Sequence, residues 1–394
     1  MELVDYLQLM IERQASDLLF SADTPPTLKV DGNAMHLGDR ALSADEVNAI
    51  AYAAMNEAQQ SKFKETWEMN LALSLGKAGR FRVNLYRQRG EIALAIRYIS
   101  NKIPSIAQLN LPPILQELVM LPRGLVLVVG STGSGKSTTL AAMIDYRNAR
   151  RTGHILTVEE PIEYAHVHKR SQVDQREVGL DTHSYADALK NAMRQAPDVI
   201  MIGEIRDRET MQAAIAYAET GHLCLSTLHA NNANQTLDRI INFFPDSART
   251  QLLIDLSLNL KAVVSQRLLR GSDGKRVPAV ELLLSSPYVS DLIAKGEIAL
   301  IKDAIKQSRD VGMQSFDQAL FDLYVAGRIG YQEAIDNADS RTDLALEIRL
   351  HAPAREGDPE SGIALEDKPQ SDEEREAERI AEILAPHPPP SRQN

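Results

Sequence analysis

Five aliphatic residues in a row, Leu125-Val126-Leu127-Val128-Val129, run straight into Gly130-Ser131-Thr132-Gly133-Ser134-Gly135-Lys136-Ser137-Thr138, and a helix-forming stretch follows to residue 148. No other feature restricts the fold of this chain so tightly. The spacing G-x-x-x-x-G-K-S between a strand and a helix is that of a phosphate-binding loop. Glycines let the backbone curl until successive N–H groups point inward at phosphate oxygens. The helix start adds the positive end of its dipole. In such a loop Lys136 reaches the β- and γ-phosphates of ATP, and Ser137 ligates Mg²⁺. The flanking strand and helix set it apart from a glycine-rich turn without a ligand.

The surrounding pattern agrees with the loop. Strands are expected at 125–129, 154–158, 199–202 and 223–226, and helices near 136–148, 185–195, 208–219, 234–243 and 248–269. Short apolar strands alternating with helices imply a mostly parallel sheet covered on both faces. Residues 286–349 read as helical. The first hundred residues read differently, as α+β: a helix to about Gln14, strand-like runs at 17–20, 27–30, 71–75, 80–86 and 92–98, and a hairpin-type turn at Asp31-Gly32. A helix over 43–55 opens on the capping pair Ser43 and Glu46. Residues 101–113, with three prolines, read as an interdomain linker, and residues 114–350 as the second domain.

Residues 351–394 carry eleven acidic and five basic residues, seven of the chain's 18 prolines and no aromatic residue. Such a segment buries too little apolar surface to offset its ordering entropy and is expected to be disordered. Its stretch 371–384 has helical character, as a transient solvated helix or, alternatively, a docking helix using Ile380, Ile383 and Leu384.

Composition narrows the function. The 394 residues carry a net charge of −11, a poor balance for sequence-independent nucleic-acid binding. The lone cysteine, Cys224, excludes an internal disulfide and a cysteine-based zinc site, and it reads as a small core hydrophobe. The start, MELVDYLQLMIERQ, lacks the basic and apolar regions of a signal peptide. The run 125–129 is far short of a membrane span. The expectation is a cytoplasmic protein that meets a membrane only through a partner.

Hydrolysis of ATP needs a metal anchor and a group that orients water. Two acidic clusters follow expected strands: Glu159-Glu160-Pro161-Ile162-Glu163, and Gly203-Glu204 with Arg206 and Asp207 behind it. Ligands bind at the carboxyl edge of open α/β sheets, where strand ends place such acids. A third cluster carries His222 at the start of a strand and His229 just beyond it. Spacing leaves His222 open between a γ-phosphate contact and a histidine hydrogen-bonded to backbone.

The runs GSTGSGKSTT, ILTVEEPIEY, APDVIMIGEIRD and ETGHLCLSTLHANNA, in that order, resemble the secretion-type ATPases of type IV pili, and ASDLLFSADTPPTLKVDG with RFRVNLYRQRG resembles their retraction branch, the PilT/PilU family. The resemblance covers residues 1 to about 345. It implies a hexamer whose subunits hold a PAS-like α+β domain and a RecA-like ATPase domain, with ATP and Mg²⁺ bound between the two. It places the Walker A loop on Gly130–Thr138 and the water-polarising acid on Glu163. The atypical Walker B acid falls on Glu204, which would hold Mg²⁺ directly or through water. The family's histidines fall on His222 and His229, and its phosphate-contacting arginines on Arg82, Arg97, Arg194 and Arg206.

Three departures matter. Glu160 stands where Asp is usual, Leu19 replaces a histidine, and Pro287 to Ile293 replaces an AIRNLI-like segment. That last change and the acidic tail point to the accessory PilU branch. The implied function is ATP-driven pilus retraction and twitching motility, exerted with a PilT-like ATPase on an inner-membrane platform protein at the pilus base. A weakly catalytic or non-catalytic partner that strengthens the PilT hexamer is the alternative. A nucleic-acid motor on the same core has no basic, aromatic-interleaved surface to support it.

Overall fold

The computed structural model describes residues 1–30, 32–76 and 79–352. The expected disorder of the tail, the 371–384 helix and Asp31 of the hairpin turn lie outside the described residues.

The first sheet is antiparallel throughout. After α1 (Leu3–Glu12) come β1 (Asp17–Phe20), β2 (Thr27–Val30), β3 (Asn33–His36), α2 (Ala44–Ala54), α3 (Glu57–Thr66), β4 (Glu68–Ser74), β5 (Arg80–Gln88) and β6 (Glu91–Ile99), with the strands ordered β3-β2-β1-β6-β5-β4. Ser43 and Glu46 form the expected capping box on α2. Strand alternation sends Phe81, Val83 and Leu85 of β5 and Leu94 and Ile96 of β6 into a core shared with Tyr6, Met10, Val47 and Ala51 of the two helices. The intervening Arg80, Arg82 and Arg97 therefore stand on the sheet's other face. The sequence reading missed β3 and α3. Both are polar, Asn33–His36 being exposed at all four positions, so neither shows an apolar period.

The second sheet is assembled from α4 (Ile114–Met120), β7 (Gly124–Val129), α5 (Lys136–Arg150), β8 (Gly153–Glu159), β9 (Ser171–Glu177), α6 (Tyr185–Ala192), β10 (Val199–Ile202), α7 (Arg208–Glu219), β11 (Leu223–Leu228), α8 (Ala233–Asn242), α9 (Asp246–Asn259), β12 (Leu260–Arg270) and β13 (Arg276–Leu284). Its strand order is β13-β12-β7-β11-β10-β8-β9, parallel except for β13. Both faces are covered. Leu125, Leu127 and Val129 of β7 face helices α6 to α9, while Val126 and Val128 face α4 and α5. Helices α10 (Pro287–Lys295), α11 (Ile301–Gln307), α12 (Phe316–Val325), α13 (Tyr331–Asp336) and α14 (Arg341–His351) complete the fold.

One expectation needs correction. The helix read over 248–269 stops at Asn259, and Leu260–Arg270 is the strand β12 between β7 and β13. An apolar run with Val263-Val264 fits a buried strand and a buried helix equally well by pattern, and pairing with β7 decides for the strand. Residues 101–113 are irregular, and Ile106 and Leu111 are buried against the second sheet. The chain leaving β6 also touches the acidic loop: Ala165 N–H donates to Ser100 O at 3.0 Å.

Candidate functional site

Parallel strands bring the ends of β7, β8, β10 and β11 to one edge of the second sheet. The phosphate loop, the acidic loop, Glu204 and His229 follow those four ends and border one cleft of about 570 Å³.

The loop has the curl its glycines require. Gly130 and Gly135 sit at φ +152° and +90°. A Cβ on Gly130 would lie 2.4 Å from Ser134 Oγ and 2.5 Å from Gln266 O, and one on Gly135 would lie 2.8 Å from Gln266 Nε2. Gln266 belongs to β12, so the strand missed in the sequence forms the loop's floor. Thr132, Gly133, Gly135, Lys136, Ser137 and Thr138 line the cleft. Gly130 and Ser131 instead border a polar recess on the loop's far side.

Phosphate fits this loop. Gly135 caps α5 without a side-chain acceptor, leaving the first-turn amides for an anion. Ser134 Oγ is buried without a partner. The Lys136 ammonium rests on Gly130 O and Ser131 O, at 2.9 Å each. Burial lowers its pKa, while Glu204 and Glu163 across the cleft pull it back up. Among the described residues no group of three or more His, Cys, Asp or Glu side chains is placed to hold a metal ion. A Mg²⁺ carried largely by phosphates and water needs no such group.

Glu204 is held from both sides. Arg206 Nε donates to its Oε2 at 2.7 Å, and His229 Nε2 lies 3.0 Å from its Oε1. Arg206 also donates through Nη1 to Glu160 Oε2 at 2.7 Å. The longer acid at position 160 thus reaches the arginine behind Glu204. Glu163 lines the cleft from the acidic loop, which is tied to α5 where the Tyr164 hydroxyl meets Thr138 Oγ1 at 3.0 Å.

The remaining expected residues do not line this cleft. Arg82 and Arg97 face each other across β5 and β6, and Arg97 Nε donates to Asp17 at 2.7 Å. Arg194 is exposed and reaches Lys190 O. His222 sits before β11, at the opposite end of the strand from His229. Its Nδ1 lies 3.1 Å from Thr220 Oγ1 and 3.2 Å from Tyr217 O, so within this chain the backbone-bonded alternative is the one found. Cys224 is fully buried, as expected of a core residue.

Polar lining residues to which the sequence gave no individual role include Glu159, although it stands in the first acidic cluster, Tyr185 and Arg276. Glu159 was the most accessible to it, because it ends the strand that leads into the acidic cluster. Its Oε1 accepts from Thr157 Oγ1 at 2.7 Å and Gln175 Nε2 at 3.0 Å, yet burial pushes its pKa up to about 7. Tyr185, whose phenol burial also pushes upward, lies on a helix that carries no motif.

Residues 8–322 match the family model described as Type II/IV secretion system protein. The chain is 52% identical to the type IV pilus ATPase PilU of Pseudomonas aeruginosa over 351 residues, covering 89% of this chain and 92% of PilU. It is 38% identical to PilT of the same organism, covering 86% of this chain and 98% of PilT. Among solved structures, that of the pilus retraction motor PilT with bound ADP superposes with a TM-score of 0.81 at 39% identity, covering 88% of this chain and 99% of that one. The Legionella pneumophila ATPase DotB superposes at 0.68 with 26% identity, covering 84% of this chain and 94% of DotB.

Proposed function

We propose, on the premise that this chain belongs to the Type II/IV secretion system protein family and is an ATPase of the PilT/PilU type, that it hydrolyses ATP in the cleft at the end of its parallel sheet to power pilus retraction. The observation that carries the reading is the meeting of Lys136, Glu163 and Glu204 at one phosphate-accepting loop. Lys136 and the first-turn amides of α5 hold the phosphates. Glu163 polarises the attacking water. Mg²⁺, when bound, offsets phosphate charge, and Ser137 and Glu204 are the residues that would hold it.

The assembly is part of the proposal. Residues 1–100 act as a PAS-like domain joined through 101–113 to a RecA-like domain over 114–350, in a homohexamer. The hexamer works at the cytoplasmic base of the pilus, beside a PilT-like ATPase and an inner-membrane platform protein. Among the described residues no helix is long and apolar enough to cross a membrane. Arg82 and Arg97 contact phosphate only when the first domain swings toward the cleft. A ligand shifts such an equilibrium through contacts that differ between its two states, and an arginine–phosphate pair is one. The reading gives His222 and Arg194 no role within a single chain.

Glu163→Gln and Glu204→Gln, assayed for ATP binding and turnover, test the site. Glu163→Gln should bind ATP and lose most turnover. Normal turnover there with loss in Glu204→Gln would exchange the two roles. Turnover of the chain alone against turnover with PilT separates an active motor from a weakly catalytic partner.

A further inference from the structure

Gln175, on the edge strand β9, ties down the loop that carries Glu163. Its side-chain oxygen accepts from His166 N–H at 2.8 Å, and its amide nitrogen donates to Tyr164 O at 2.9 Å and to Glu159 Oε1 at 3.0 Å. These three bonds match the inventory of a primary amide, one acceptor side and two N–H donors. Asparagine is one methylene too short, and glutamate lacks the donors. Gln175 stands opposite Thr157 in the parallel register of β8 and β9, so it and its partner Glu159 both sit on paired strands while its other two bonds reach the loop. Glu163 itself is exposed, and its position follows the backbone beneath it.

We propose that Gln175 is a positioning residue for ATP hydrolysis, holding the 160–166 loop so that the Glu163 carboxylate meets the attacking water. This rests on the reading of Glu163 as the water-polarising acid. Reacting groups displaced by about 1 Å can lose about a hundredfold in rate. Binding should suffer little, because the phosphate loop is built on β7, α5 and β12 and, among the described residues, meets the Gln175-held loop only through the Tyr164–Thr138 hydrogen bond.

The neighbours of Gln175 supply a diagnostic. Gln175→Glu keeps the shape but sets an oxygen against two acceptors, Tyr164 O and Glu159. A proton on either carboxyl restores a donor. Burial already places Glu159 at about 7, so that proton becomes available near neutral pH. The other titratable groups acting on this corner include Glu163, Glu177 and Tyr185 around Glu159, Asp145 and Lys169 on His166, and Arg80, Arg82 and Asp181 on Glu177. All of them are present in wild type, so the wild-type profile measured alongside reports their own titration and the ratio isolates what the new carboxylate adds.

The test uses the full chain, with kcat, KM, nucleotide affinity and thermal melting measured for Gln175→Ala, Gln175→Glu, Glu163→Gln and the double variant Gln175→Ala/Glu163→Gln, using radiolabelled ATP to reach residual rates. Gln175→Ala should lose about ten- to a hundredfold in kcat with ATP affinity little changed. It should cost nothing further in the Glu163→Gln background. The Gln175→Glu rate relative to wild type should rise from pH 8 to pH 6. Should Gln175→Ala melt below the assay temperature, Gln175→Glu carries the test alone. Wild-type kcat in Gln175→Ala, an equal loss in both backgrounds, or a pH-independent Gln175→Glu ratio overturns the positioning role. Those outcomes leave Glu163 standing if Glu163→Gln is impaired, whereas normal turnover in Glu163→Gln removes both assignments.

Discussion

Replacing Glu159 by Gln should stabilise the protein at pH 8 and have much less effect at pH 5. Burial is the main cause of the raised pKa, about 7 against an ordinary 4.5, and Glu163 and Glu177 add to it while Gln175 and Thr157 act against it. A carboxyl whose folded pKa is raised costs nothing below its unfolded pKa. The penalty grows as pH rises from there, because the unfolded chain releases its proton first, and is complete above the folded pKa. At about 1.4 kcal/mol per pKa unit the full penalty is about 3 kcal/mol at pH 8, falling to about 1 kcal/mol at pH 5. These are ceilings, since solvent in the cleft screens part of the charge. Glutamine keeps an oxygen for Thr157 Oγ1 and Gln175 Nε2, so the variant sheds the buried charge without orphaning either donor. The assay is urea unfolding by far-ultraviolet circular dichroism at both pH values. The lone tryptophan, Trp67, reports only on the first sheet's side of the molecule. A stability difference that is the same at pH 5 and pH 8, or a variant less stable than wild type at pH 8, would refute the reasoning.

Lys136→Ala should abolish ATP hydrolysis and weaken binding, because the loop amides cannot replace the cation; wild-type turnover at saturating ATP would overturn the site. Arg147→Ala should destabilise the fold by about 3 kcal/mol through packing loss and two carbonyls, one buried and one half-buried, left unbonded, measurable as a lower urea midpoint: Arg147 Nη1 donates to Val119 O at 2.6 Å and Leu121 O at 2.9 Å, and the residue is 2% exposed. Arg82→Ala/Arg97→Ala should lower turnover without lowering the melting temperature, since neither residue enters the first sheet's core. Unchanged ATPase activity would leave both as surface arginines.

The sequence by itself determined what depends on neighbours along the chain. The phosphate loop, the capping box at Ser43 and the strands at 199–202 and 125–129 were legible because apolar runs, cap chemistry and glycine spacing act within a few residues. The acids that line the cleft were legible for the same reason, each following a short apolar run. The tertiary structure decided which strand ends share an edge, because pairings such as Val199 with Ile155 and Leu223 with Gly124 join residues far apart in the chain. Only that pairing turned 260–269 from apparent helix to strand and set Gln266 beneath the loop. It also brought Gln175 to the Glu163 loop from a segment with no motif. The two histidines show the division most directly. They lie seven residues apart, and a strand advances about 3.3 Å per residue, so the β11 between them separates their ends by roughly 20 Å. A motif read along the chain groups them together, whereas an extended backbone delivers only the one at its carboxyl end, His229, to the site.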